Sequence, residues 1–231
     1  MRFITLERVI DYWGLNLPVN IGTNNFNNIR IDYYRDETVI REALKSGDID
    51  YREENQAKAW ALDYDTPAVA QGRLKKVNLR HYNPTGMQAF VYNTRRPIFK
   101  DVRVRQALAY AFDFEWTNKN LFFGQYTRTK SFFSNSDLAA KGLPTGLELK
   151  ILKKYENKIP KSIFTTPYEP PVTDSLGWPR NNLTTAKELL QDAGWNVEDM
   201  ILTNSDSGEL FTFEILLYSE GFERIVLPFA R

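Results

Sequence analysis

The chain has 231 residues, with 30 lysines and arginines against 29 aspartates and glutamates, for a net charge of +1. That balance gives no electrostatic case for binding nucleic acid or an anionic membrane surface. With no cysteine and a single histidine, His81, disulfides, thiol catalysis, Cys-ligated metal and multi-histidine metal sites are excluded, and any Ser-His-Asp triad would have to run through His81. Aromatic residues make up 14% of the chain, which hints at a recognition surface.

The amino terminus shows no basic stretch followed by an apolar run, so it does not read as a signal peptide. No segment approaches the apolar length of a membrane-spanning helix. Both ends look cut, as in a fragment of a longer protein. Alternation from Phe3 to Arg8 predicts a strand, and residues 28–35 predict another, with Ile29, Ile31 and Tyr33 on one face. Asp36 then reads as an N-cap, Val39, Ile40, Ala43 and Leu44 as an apolar helical stripe, and Gly47 as the residue after the helix. Glu37 and Arg41 stand at the spacing that favours an ion pair. Ile49 to Tyr51 returns as a short strand, so this unit suggests α/β organisation.

Residues 53–72 predict a polar-aromatic helix centred on Trp60, and 73–80 and 86–93 predict strands on either side of a turn-rich segment from His81 to Gly86. Asp101 reads as the N-cap of a helix whose apolar face is Val104, Ala107, Leu108, Ala111 and Phe112. Residues 132–179 are proline-rich and loop-like, with helical character only at 146–156. Residues 182–194 predict a helix closed by Gly194. A hairpin-like turn at Ser207-Gly208 leads into a strand that carries Phe211, Phe213 and Ile215, and the chain ends in a helical pattern.

No phosphate-binding glycine loop, dinucleotide fingerprint, nucleophile elbow, zinc-protease helix or calcium loop occurs. Glu53 and Glu54 are adjacent, so they point apart, and the pair reads as part of a solvated face rather than as catalytic carboxylates. Arg95-Arg96 reads as a solvated loop. His81 reads first as a hydrogen-bonded structural histidine and second as the lining of an aromatic cleft beside Tyr82. Arg103 and Arg105 read as ion-pair partners of Asp101, Asp113 and Glu115 that fix the helix.

The segment FVYNTRRPIFKDVRVRQALAYAFDFEW carries Asn93, Pro97, Phe99, Asp101, Arg103, Val104, Arg105, Ala107 and Leu108. It resembles the core signature of the family 5 extracellular solute-binding proteins, the peptide- and nickel-type binding subunits of ABC importers. AKELLQDAGW, ERVIDYWGLNLPVN and ALKSGDIDYR add three further matches in order along the chain. NNFNNIRIDYYRD, DFEWTNKNLFFGQY, SFFSNSDLAAKGLP and FERIVLPF are similar to the subfamily associated with uptake of oligopeptides and microcin-type conjugates.

The resemblance implies an α/β protein, mixed α+β, with part of a type II periplasmic-binding fold and both of its lobes incomplete. Residues 1–85 would be the middle of lobe one, 86–91 a crossing strand, and 92–231 the first part of lobe two. It implies no enzyme activity, no cofactor and no metal. It also implies an oligopeptide ligand held between the lobes in the periplasm and delivery to an ABC permease. His81, Tyr82, Thr85, Gly86, Met87 and Gln88 are expected near the ligand from the crossing position, with structural roles equally open for each. Two alternatives stand beside this: a truncated remnant without binding activity, and a peptide or amide hydrolase, for which no nucleophile motif surrounds His81.

Overall fold

The computed structural model describes residues 2–230. Its contacts divide the chain into two units. The first comprises residues 1–55 and 64–76, and the second residues 56–63 and 77–231.

In the first unit, β1 (Phe3–Glu7) pairs antiparallel with β2 (Asn28–Asp32), with Ile4 opposite Ile31 and Leu6 opposite Ile29. The ribbon has no further neighbour among the described strands, and Phe3 and Leu6 are each half exposed. Helix α1 (Glu37–Ser46) begins where Asp36 accepts hydrogen bonds from the amides of Thr38 (2.7 Å) and Val39 (3.0 Å). Those amides stabilise the charged form, so the Asp36 carboxyl lies below its ordinary pKa. Gly47 ends the helix in the left-handed conformation at φ 89° and donates its amide back to the last turn. The expected strand at Ile49–Tyr51 is absent, because no ladder partner faces it among the described residues.

Glu54 does not share a solvated face with Glu53. Glu53 is exposed, while the Glu54 side chain is only 2% exposed and draws in Arg52 Nε at 3.3 Å, Arg41 Nη1 at 3.8 Å and the Tyr64 hydroxyl at 2.8 Å. A buried carboxylate needs such donors to offset its desolvation. The cluster also reassigns the expected helical pair: Glu37 bonds Arg52, and Arg41 faces Glu54. Burial alone would lower the Arg52 pKa, but the hydrogen bond and charge from Glu37, together with Glu54, hold it above its usual value.

The expected helix over 53–72 is two short ones, α2 (Ala57–Leu62) in the second unit and α3 (Pro67–Ala70) in the first. Pro67 explains the break, since its preceding residue is driven out of the helical region and Thr66 is extended.

The second unit is organised by α4 (Val102–Ala111), α5 (Phe114–Leu121), α6 (Gly146–Lys153), α7 (Ser162–Thr165) and α8 (Arg180–Asp192). The hairpin of β3 (Trp195–Glu198) and β4 (Ile201–Asn204) and helix α9 (Glu223–Ala230) complete it. Helices α4 and α8 pack together and carry the core: Val104 is fully buried and Ile98, Phe99 and Trp195 surround it, with Leu108, Leu190, Phe211 and Phe213 against them. Asp101 caps α4 through the Arg103 amide and pairs with the Arg103 guanidinium at 2.6 Å. Arg103 Nη1 also donates to the Asp192 carbonyl at the end of α8 (2.5 Å), where a cation complements the helix dipole. Among the described residues Arg105 makes no hydrogen bond to a carboxylate and instead donates to the carbonyls of Phe99 and Lys100.

The strands expected at 73–80, 86–93 and 209–218 do not form. Each alternates in sequence, but none meets a neighbouring strand, and the last contributes only a single bridge, Thr203 to Leu210. The chain exposes 18579 Å². Two independent globules of these unit sizes would expose roughly 13,000 Å² together.

Burial and the hydrogen bond to Glu54 push the Tyr64 phenol up to about 12, against about 10 in an unfolded chain. A raised folded-state pKa means that the stabilisation is complete below pH ~10 and is lost as the pH rises toward ~12. The difference in tyrosinate absorbance between the wild type and Tyr64→Phe is therefore expected to titrate near 12, and the loss of stability between those pH values should vanish in the variant. A difference titration centred near 10 would contradict the buried cluster.

Candidate functional site

The six residues singled out by the sequence, His81, Tyr82, Thr85, Gly86, Met87 and Gln88, lie on one continuous stretch of the second unit and are all exposed. Tyr82 is 87% exposed. None of their side chains is hydrogen-bonded among the described residues, so His81 is not the buried, bonded structural histidine of the first reading. The stretch 86–91 is not a strand.

What holds this stretch is found at its two ends. On the amino-terminal side, the Asn135 amide donates to the carbonyls of His81 (2.9 Å) and Asn83 (3.0 Å), and the Thr85 amide donates to the Ser134 carbonyl (2.8 Å). On the carboxy-terminal side, the Phe90 ring sits 5.5 Å from Phe112 and 4.9 Å from Phe229 between centroids, and Tyr92 sits 5.2 Å from Phe99. Burial pushes the Tyr92 phenol above its ordinary pKa. Between the anchors, the backbone groups of Gly86 to Ala89 make no hydrogen bond among the described residues. The result is a strap with anchored ends and an open centre.

Sequence reasoning missed Ser134, Asn135 and Phe90 as the parts that position the strap. A signal was present in SFFSNSD, a run of residues whose short side chains bond nearby backbone and build turns.

A second polar cluster braces the proline-rich region. Asp113 caps α5 through the Trp116 amide (2.9 Å) and accepts from the Thr173 hydroxyl. Glu115 accepts from the Thr173 amide and hydroxyl, both at 3.0 Å. Asp113 and Glu115 therefore bond Thr173 rather than Arg103 or Arg105. Arg128 donates to the Pro171 carbonyl (2.5 Å) and lies over the rings of Phe112 and Phe114. Burial holds its pKa below the usual guanidinium value, partly offset by Glu115, Tyr168 and Asp113.

Two shallow hollows, one beside Tyr34, Val39 and Lys45 and one beside Lys119, Phe123 and Ser175, include none of the six strap residues. No cluster of three or more metal-ligating residues occurs among the described residues, and none of their helices is long and apolar enough to cross a membrane.

The profile of the bacterial extracellular solute-binding proteins, family 5 Middle, matches residues 2–227, and the chain belongs to that family. Its members bind solutes and are not enzymes. The chain is 43% identical over 230 residues to the probable peptide-binding protein YejA of Agrobacterium fabrum, covering 99% of this chain and 38% of the relative. It is 36% identical over 236 residues to the peptidoglycan-binding protein YepA of the same organism, with 99% and 38% covered. Among solved structures, the oligopeptide-binding protein AppA of Bacillus subtilis, in complex with a nonapeptide, matches 99% of this chain and 36% of its own, with a TM-score of 0.53 and 18% identity. That likeness shows the fold: a mixed α/β part of the periplasmic-binding-protein architecture. The chain spans little more than a third of the length of these proteins.

Phe90 holds one end of the strap, so Phe90→Ala is expected to cost the second unit about 2 kcal/mol, less than a fully buried phenylalanine. Limited proteolysis should then nick the chain faster between residues 77 and 92. An unchanged cleavage pattern would contradict the aromatic anchor.

Proposed function

We propose that these residues are part of the substrate-binding component of a bacterial ABC importer, which binds an oligopeptide between two lobes in the periplasm and delivers it to a membrane permease. In the complete protein, residues 86–91 pass between the lobes beside the ligand.

The observation that carries this reading is the strap. A site that accepts peptides of varied sequence must take most of its affinity from the ligand's backbone, in the manner of an added strand. Gly86 to Ala89 offers free backbone donors and acceptors on a segment anchored at both ends. Gly86 has no atom within 4 Å of a would-be side chain, so a second backbone can approach closely. Met87 is 45% exposed and supplies a flexible, polarisable contact suited to varied side chains. Water can bridge the remaining polar groups at a small cost in affinity. The peptide-binding description of the Agrobacterium YejA relative and the nonapeptide bound by AppA support the same ligand class.

A second reading is supported by the excess of exposed surface: these residues apart from the rest of such a protein hold no peptide. It predicts self-association through open strand edges and apolar patches.

The test is peptide binding by the full-length polypeptide carrying alanine at both Met87 and Gln88. Affinity is expected to fall about tenfold, equivalent to roughly 1.4 kcal/mol. Unchanged affinity would contradict the placement of the strap beside the ligand.

A further inference from the structure

We propose that Asn135 is a positioning residue for peptide binding: it fixes the conformation of the 81–88 strap without touching the ligand. This rests on the reading that the strap faces the ligand.

Among the described residues, every hydrogen bond that ties residues 77–92 to the rest of the unit comes from one short loop. Asn135 supplies two, to the carbonyls of His81 and Asn83, and Ser134 accepts the third, from the Thr85 amide. A primary amide is the side chain suited to this task, since its two N–H groups can serve two carbonyls at once. Asn135 also adopts φ 64°, a left-handed conformation that asparagine tolerates better than most residues. Both the side-chain chemistry and the backbone conformation at position 135 therefore favour the residue found there.

The loop that presents Asn135 is braced internally. Ser131 Oγ accepts from the amides of Phe133 and Ala140 (both 3.2 Å), the Ser134 hydroxyl donates to the Ser131 carbonyl (2.8 Å), and the Ser136 hydroxyl donates to the Phe133 carbonyl (2.8 Å). A loop stiffened this way can hold a second segment that has no regular structure of its own. Without the clamp, the strap would sample many conformations, and a peptide would have to order it on binding.

Asn135→Gly removes the donors and keeps the backbone conformation accessible. Asn135→Asp keeps the shape but replaces the donors with a carboxylate that can only accept, set against two carbonyls. Amide exchange, followed residue by residue in the 231-residue chain, is expected to be about tenfold faster at Thr85 in both variants, as the loss of one to two net hydrogen bonds implies. Exchange in α4 and α8 and the thermal midpoint should stay as in the wild type. In the full-length polypeptide, affinity for a pool of short synthetic peptides should fall about tenfold.

Unchanged exchange at Thr85 in both variants would overturn the proposal. So would faster exchange with unchanged peptide affinity, or a loss of protection that spreads to α8 with a lowered midpoint, which would mark a general structural role. If the wild-type full-length polypeptide takes up no peptide while Thr85 still responds, the ligand reading fails and the clamp on the strap stands.

Discussion

The constraint on which this structure depends is that an extended segment needs a neighbour. Backbone donors and acceptors removed from water must be paired, and a strand pairs them only with another strand. Here two such pairs form, β1 with β2 and β3 with β4, and each remains a two-stranded ribbon among the described residues. A ribbon of two strands has little independent stability and two open edges. The helical contacts of α4 and α8 around Val104 therefore carry the second unit, and the buried cluster of Glu54, Arg41, Arg52 and Tyr64 braces the first. The proportion of surface left exposed follows from the same shortage of partners.

This constraint also sets what the sequence could reveal. Helices α1, α4 and α8 were legible because their information is local: Asp36 and Asp101 as caps, Gly47 and Gly194 in left-handed conformations, and an apolar stripe between. Alternation at 73–80, 86–93 and 209–218 was a true pattern, but whether a strand forms is decided elsewhere in the chain. The β3–β4 hairpin escaped notice for the opposite reason. Its two-residue turn uses Asp199 and Met200, both with positive φ (48° and 67°); aspartate is usual at the first of these positions, but Met200 stands where glycine is the usual signal. Glu54 was misread because adjacency to Glu53 says only that the two point apart, not that one of them is drawn into a buried set of donors.

How the candidate segment is held was not legible in the sequence. The segment from His81 to Gln88 was singled out from the crossing position that the family resemblance implies, and it is exposed and irregular. What holds it comes from a loop about fifty residues later and from rings on α9 and beside α4, contacts that no local pattern encodes. The proposal that the strap meets a peptide backbone rests on its free backbone groups read together with membership in a family of solute-binding proteins.

Native mass spectrometry of the purified full-length polypeptide that contains these residues, with and without a mixed peptide pool, tests the peptide-binding account most directly. The account predicts a monomer that carries added mass, released on activation as peptides. Empty monomers, or a ladder of oligomers that ignores the peptides, would contradict it.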